Sequence, residues 1–245
     1  LDTASGQWLS AEQLVQRMAG ADRVLLGEQH DNDDHHRLQL WLLQRLHQQR
    51  PQASLLLEML TPAQQPALDE LQNGTADLQS DPLPEQLQWN PGWPWDAYGP
   101  IVSWALDSGI RLGAANLDRD EIGALYHDPV TVSPRYPEPV LAELRQTIEA
   151  SHCGQIAAPQ LSAMLGIQQQ RDVRMGEELV AAAVPTLLLA GNFHVRKDLG
   201  VPLHMEAAAP VVVMLHEAGK PLPGAEQADY LLLTPAAPEQ DRWAQ

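Results

Sequence analysis

Five apolar runs of strand length in this chain each stop at a residue that can titrate, ligate or hydrogen-bond. Val24-Leu25-Leu26 leads into Gly27-Glu28-Gln29-His30, and Leu55-Leu56-Leu57 into Glu58. Leu112-Gly113-Ala114-Ala115 leads into Asn116, and Leu187-Leu188-Leu189 into Ala190-Gly191-Asn192-Phe193-His194. The fifth, Val211 to Leu215, leads into His216-Glu217. In an open parallel sheet the carboxyl ends of the strands line one crevice, and ligands bind there. The pattern therefore points to one polar site at one sheet edge.

The intervening stretches read as helices. Ser10-Ala11-Glu12-Gln13 forms a capping box that opens a helix to about Ala19. His35 to Gln49 places Leu38, Leu42, Leu43 and Leu46 at helical spacing. Further helices are expected at about 96–107, 140–150 and 160–183, and further strands near 186–190, 211–215 and 229–233. Residues 73–95 and the proline-rich 127–139 read as loops. The alternation predicts an α/β fold with a mainly parallel sheet, helices on both faces and an additional helical or loop subregion. One domain spanning 1–245 is expected. The formal net charge is −17, which opposes binding to nucleic acid and to anionic lipid. A single cysteine, Cys153, excludes an internal disulfide.

Glu28 and His30, two residues apart beyond one strand, can bind a metal or act as general acid and base. Alternatively Glu28 caps a helix and His30 is a hydrogen-bonded structural residue. Glu58 and His194, at the ends of two other strands, favour a shared site, because four ionisable groups seldom converge without function. His35 and His36 point about 100° apart on a helix, so one or both are expected to face solvent. His152-Cys153 has the composition of a nucleophilic pair, but a lone cysteine more often packs as a small apolar residue. Arg196-Lys197 suits carboxylates on a ligand, or else a solvated loop. Trp89, Trp93 and Trp95, with Tyr98, form either a wall for a flat ligand or a cap on the core.

Taken together these blocks resemble the ChaN-like family of bacterial iron-regulated haem-binding lipoproteins. The blocks are Leu26-Gly27-Glu28-Gln29-His30-Asp31-Asn32 with His35-His36, and Leu57-Glu58-Met59-Leu60 with Gln65-Pro66-Ala67-Leu68. Trp95-Asp96-Ala97-Tyr98-Gly99-Pro100 and Ala114-Ala115-Asn116-Leu117-Asp118-Arg119 follow. Then come Ser151-His152-Cys153-Gly154 and Gln170-Arg171-Asp172 with Met175. The most specific is Gly191-Asn192-Phe193-His194-Val195-Arg196-Lys197-Asp198 with Gly200-Val201-Pro202. His204 departs from the aromatic residue often found there.

The resemblance implies an α/β fold, a role in haem or iron acquisition, and haem-induced pairing of two subunits. It implies ferric haem held by a tyrosine of one subunit, with a histidine and a lysine of the other on the propionates. Carried onto this chain, Tyr98 is the first choice for the iron and Tyr136 the second, with His194, Lys197 and Arg196 on the propionates. A place at the bacterial outer membrane or in the periplasm, lipid-anchored in the precursor, and service to a haem uptake system are further expectations. The family also resembles, distantly, erythromycin esterases and Tiki-type proteases. On that alternative the Glu28, His30, Glu58 and His194 crevice hydrolyses a substrate, with His30 as base or with a divalent metal held by the same side chains.

Overall fold

A computed structural model describes residues 1–75, 81–151, 154–205 and 209–236. Its centre is a six-stranded sheet: β1 (Arg23–Glu28), β2 (Ser54–Leu57), β3 (Arg111–Ala114), β4 (Thr186–Gly191), β5 (Val211–Glu217) and β6 (Tyr230–Thr234). The spatial order is β3-β2-β4-β1-β5-β6, and every pairing between these strands is parallel. The expected sheet is therefore present, and the expected strand boundaries lie within a few residues of those observed.

Side chains alternate across it because strand residues point to opposite faces in turn. Val24 and Leu26, Leu55 and Leu57, Leu187 and Leu189, and Val213 and Leu215 enter one core. Leu25, Leu56, Leu188, Val212 and Met214 enter the other. Both faces are covered, which is why the runs are apolar throughout rather than alternating with polar residues. The first face is packed by α1 (Ala11–Ala19), α2 (Asp33–Gln49), α3 (Gln65–Gln72) and α5 (Trp95–Asp107). Between α3 and α5 lies a short helix, α4 (Leu83–Gln86), in a stretch read from the sequence as loop.

The second face is packed by α8 (Ala158–Ala181) and by two short helices, α9 (Asn192–Val195) and α10 (Val201–His204). A smaller cluster joins Leu141 and Leu144 of α7 (Glu138–Ser151) to Tyr136, Leu165 and Leu199. This is the additional subregion. Helix α6 (Arg119–His127), not anticipated, starts at a capping box in which Asp118 and Glu121 each serve the other's end.

The topology locates the crevice. From β1 the chain moves to β2 and β3 on one side, and from β4 to β5 and β6 on the other. The reversal falls between β1 and β4, and the space beyond their carboxyl ends is the binding crevice of such a sheet. Among the described residues no helix is long and apolar enough to cross a membrane.

Candidate functional site

Glu28 is the last residue of β1 and is buried, with Asn32 capping α2 just beyond it. Three groups converge on its carboxylate. The Tyr98 hydroxyl donates at 2.6 Å to Oε1, His30 Nδ1 lies 2.8 Å from the same oxygen, and His36 Nε2 lies 3.3 Å from Oε2. Burial pushes this carboxyl up, but the bonds from His30 and His36 outweigh it and hold it below the usual range. With Nδ1 engaged, the His30 ring is oriented with Nε2 free of the Glu28 contact. Its side chain is 42% exposed, with Trp93 edge-on at 4.8 Å between ring centroids. Burial lowers the His30 pKa, but the bond to Glu28 and the charge of Glu58 leave it raised.

Glu58 follows β2 and is also buried. Its Oε2 accepts from the Gly191 backbone N–H at 2.7 Å, and its Oε1 lies 3.3 Å from His194 Nε2. On the other side of that ring, Nδ1 meets Asp172 Oδ1 at 2.5 Å. Burial alone would neutralise His194, but Glu58 and Asp172 raise its pKa to about 10, so it is a fixed imidazolium at neutral pH. Glu58, despite burial, is brought down to about 2 by the His194 charge and bond. Asp172, fully buried, is pushed up to about 6, since burial exceeds the help from His194. Gly191 is where the two halves meet. A Cβ there would stand 2.8 Å from His30 Nε2, so glycine lets the His30 ring approach this closely.

The structure thus brings Glu28, His30, Glu58 and His194 to one corner at the carboxyl edge of the sheet. It adds members the sequence reading gave no role there. Asp172 reaches the corner from α8, Tyr98 from α5 and His36 from α2. Their signal is weak in sequence, because each lies on a helix and its direction is set by packing.

Other assignments are corrected. Tyr98 is 1% exposed and its hydroxyl is spent on Glu28, so it lies beneath the site and is not offered to a surface iron. Burial, with the negative charge of Glu28, pushes its pKa far upward, which opposes a phenolate. Tyr136 is 6% exposed and bonded at 2.9 Å to His204 Nε2, and burial raises its pKa too. His204 is occupied by the same contact. Arg196 grips Glu143 and Asp198 with its guanidinium, and Lys197 Nζ meets Asp229 at 2.7 Å, so neither stands free for a propionate. His194 is walled in by carboxylates. His35 and His36 are both buried: His35 Nδ1 accepts from the Gln29 backbone N–H and its Nε2 lies 3.2 Å from Thr234 Oγ1, while His36 turns to Glu28. Adjacent residues on a helix do diverge, but here both directions are covered. Trp89 donates its indole N–H to the Trp93 carbonyl and packs on Trp95, closing the core, while Trp93 faces outward as a wall. His152 and Cys153 lie outside the described residues.

Above the corner opens a cleft of about 1940 Å³. Trp93, Leu117, Ile122, Ile148 and Phe193 supply apolar walls, and Arg119 and Arg171 supply cations. Among the described residues no three His, Cys, Asp or Glu side chains are arranged to hold a metal ion. The carboxylates and imidazoles are instead paired with one another. The cleft can take a large ligand with apolar faces, and its floor can offer an oriented imidazole, that of His30.

A family profile described as haem-binding uptake, Tiki superfamily, ChaN matches residues 14–205. Among solved structures, the chain is similar to ChaN of Campylobacter jejuni, solved with haem bound cofacially. The two are 29% identical, with a TM-score of 0.83 over 94% of each chain. An erythromycin esterase, EreC, in its open conformation shares the fold at 16% identity and a TM-score of 0.52, over 85% of this chain and 73% of that one. A Bacillus cereus protein does so at 11% identity and a TM-score of 0.52, over 86% and 70%. No curated protein sequence matches significantly.

Proposed function

Because the chain belongs to the ChaN haem-binding uptake family, we propose that it binds haem, in the cleft above the sheet edge. The observation that carries this reading is the likeness, along almost the whole of both chains, to a protein solved with cofacially bound haem. The residues fit the group. Haem is flat and apolar with two carboxylates, and the cleft offers Trp93 and Phe193 beside two guanidinium groups. Bound haem would bring a Lewis-acidic iron and the porphyrin's Soret absorption; the protein's part is to supply walls, cations and a ligand.

The finer reading is ferric haem shared between two subunits that pair on binding, in a protein of the bacterial envelope that hands haem to an uptake system. With Tyr98 and Tyr136 internal and Tyr230 packed against the core, the phenolate role passes to Tyr126, 39% exposed near the end of α6 and outside the cleft lining, where it would reach a haem held by the partner subunit. A surface phenol suits a ligand shared across an interface, and phenolate is a hard anionic donor matched to ferric iron. Titration with ferric haem should give a saturable Soret change, and sedimentation should show dimers only with haem. Tyr126→Phe should alter the spectrum, while Tyr98→Phe and Tyr136→Phe should keep it. No saturable spectral change would end the haem reading. An unaltered spectrum in Tyr126→Phe would end phenolate ligation by that residue, and a haem complex that stays monomeric would end the shared site.

A second reading, hydrolysis, is favoured by the Tyr98–Glu28–His30 chain. A buried carboxylate on Nδ1 fixes the imidazole and makes Nε2 the basic nitrogen, as in carboxylate–histidine pairs that activate water or a hydroxyl. His30 would take the proton through its Nε2. Turnover of a simple ester that disappears in His30→Ala would support it, and equal rates in the two proteins would exclude it.

A further inference from the structure

Arg171 is set apart from the other buried or half-buried cations. Its Nε is buried with no hydrogen-bond partner, and no carboxylate among the described residues forms an ion pair with it. Acids are not scarce, since the chain has 32 Asp and Glu against 15 Lys and Arg. Neighbouring cations have found theirs: Arg174 meets Glu121 at 2.7 Å, Arg196 holds Glu143 and Asp198, and Lys197 holds Asp229. Even Asp172, the next residue in the chain, turns to His194 instead.

Helix geometry explains the placement. Gln168, Arg171 and Asp172 stand three and four residues apart, hence on one face of α8. Gln168 lies 3.2 Å from both ring nitrogens of His194, and Asp172 holds Nδ1 of the same ring. Gln168 and Arg171 both line the cleft, and Arg171 is the charged one of the two; Arg119, from the first turn of α6, joins it. Two carboxylates that line the same cleft near them are committed elsewhere. Asp118 accepts from the Ala63 N–H, and Glu121 accepts from the Asp118 N–H and from Arg174.

We propose that Arg171 is the carboxylate anchor of the cleft, with Arg119 in support. For haem it takes one propionate, leaving the porphyrin to the apolar wall. The assignment rests on the haem reading, and it replaces Arg196 and Lys197 as the propionate site. A guanidinium suits this task because its planar fork meets a carboxylate with two parallel hydrogen bonds.

The test compares three ligands on the whole chain: ferric haem, metal-free protoporphyrin IX, and haem dimethyl ester, which lacks free carboxylates. Arg171→Gln should weaken haem and protoporphyrin IX about 10- to 100-fold, the range for a lost charged hydrogen bond. It should leave the dimethyl ester unchanged. Arg171→Lys should recover part of the affinity, and Arg119→Gln should show the same selectivity with a smaller loss. Circular dichroism should show each variant folded. Wild-type affinity for haem in Arg171→Gln would overturn the anchor while leaving haem binding intact. Equal losses for haem and its dimethyl ester would also overturn it, by showing a structural role. A wild-type protein that binds neither haem nor protoporphyrin IX would sink the ligand reading itself, and the propionate assignment with it.

Discussion

His194→Gln is the most informative single change to the floor of the site. The imidazolium pairs with two buried carboxylates, Glu58 on Nε2 and Asp172 on Nδ1. Glutamine has similar reach but no charge. Glu58 would keep the Gly191 N–H, whereas Asp172, whose Oδ2 already has no hydrogen-bond partner, would be left almost alone. Removing one partner of a buried pair costs about 3–5 kcal/mol, because the remaining charge is uncompensated. Against a total of about 5–15 kcal/mol for a folded domain, that loss is large. The pH dependence gives a second signature. The folded pKa of about 10 lies above the ordinary value of 6.5, so the stabilisation is complete below pH 6.5 and is lost as pH rises through 10. At about 1.4 kcal/mol per unit, wild type should lose up to about 3 kcal/mol between pH 7 and 9 relative to the variant. Urea unfolding at pH 6, 7, 8 and 9 measures both quantities. A variant within about 1 kcal/mol of wild type at pH 7, or parallel pH profiles for the two proteins, would refute a charged His194.

Three further outcomes follow from the geometry. Glu28→Gln removes the hydrogen bond that helps raise the His30 pKa, so that pKa should fall in an NMR titration, and an unchanged value would deny the pairing. Gly200→Ala would press a Cβ onto the backbone carbonyl of His194, an immovable neighbour, so urea unfolding should show a loss of about 1–3 kcal/mol. Tyr98→Phe deletes one hydrogen bond to Glu28 and should cost about 0.5–3 kcal/mol in the same assay, the upper end for a bond to a charged group, without shifting any haem spectrum.

What was readable in the sequence follows from how local each feature is. The strands show because parallel strands buried on both faces become uninterrupted runs such as Leu187-Leu188-Leu189, and Glu28 and Glu58 show because they end such runs. Helix α1 shows because Ser10 and Gln13 form a capping box four residues long. Tyr98, His36 and Asp172 do not show, because they reach the site from helices whose rotation depends on the whole core. Tyr98 misled for a related reason: a tyrosine in an aromatic neighbourhood reads equally as a ligand wall or as core, and only the 2.6 Å bond to Glu28 decides. Arg196 and Lys197 misled because their partners, Glu143 and Asp229, are 53 and 32 residues away. Arg171 was overlooked for the converse reason, since having no partner leaves no trace in a sequence.

The arrangement also separates what must be rigid from what can discriminate. The floor carries two sets of contacts, Glu28 with Tyr98, His30 and His36, and His194 with Glu58 and Asp172, and each buried charge would be costly alone. Moving one of them strands another, so the floor holds a single arrangement and cannot easily adapt to a ligand. The walls are different. Among the described residues the side chains of Trp93, Phe193, Arg119 and Arg171 make no hydrogen bond or ion pair with those buried carboxylates, so their substitution should change what the cleft accepts without unfolding it. Affinity and ligand choice should therefore respond to wall variants at constant stability, and floor variants should move stability first. A wall variant such as Arg171→Gln that unfolded the protein as readily as His194→Gln would break that division.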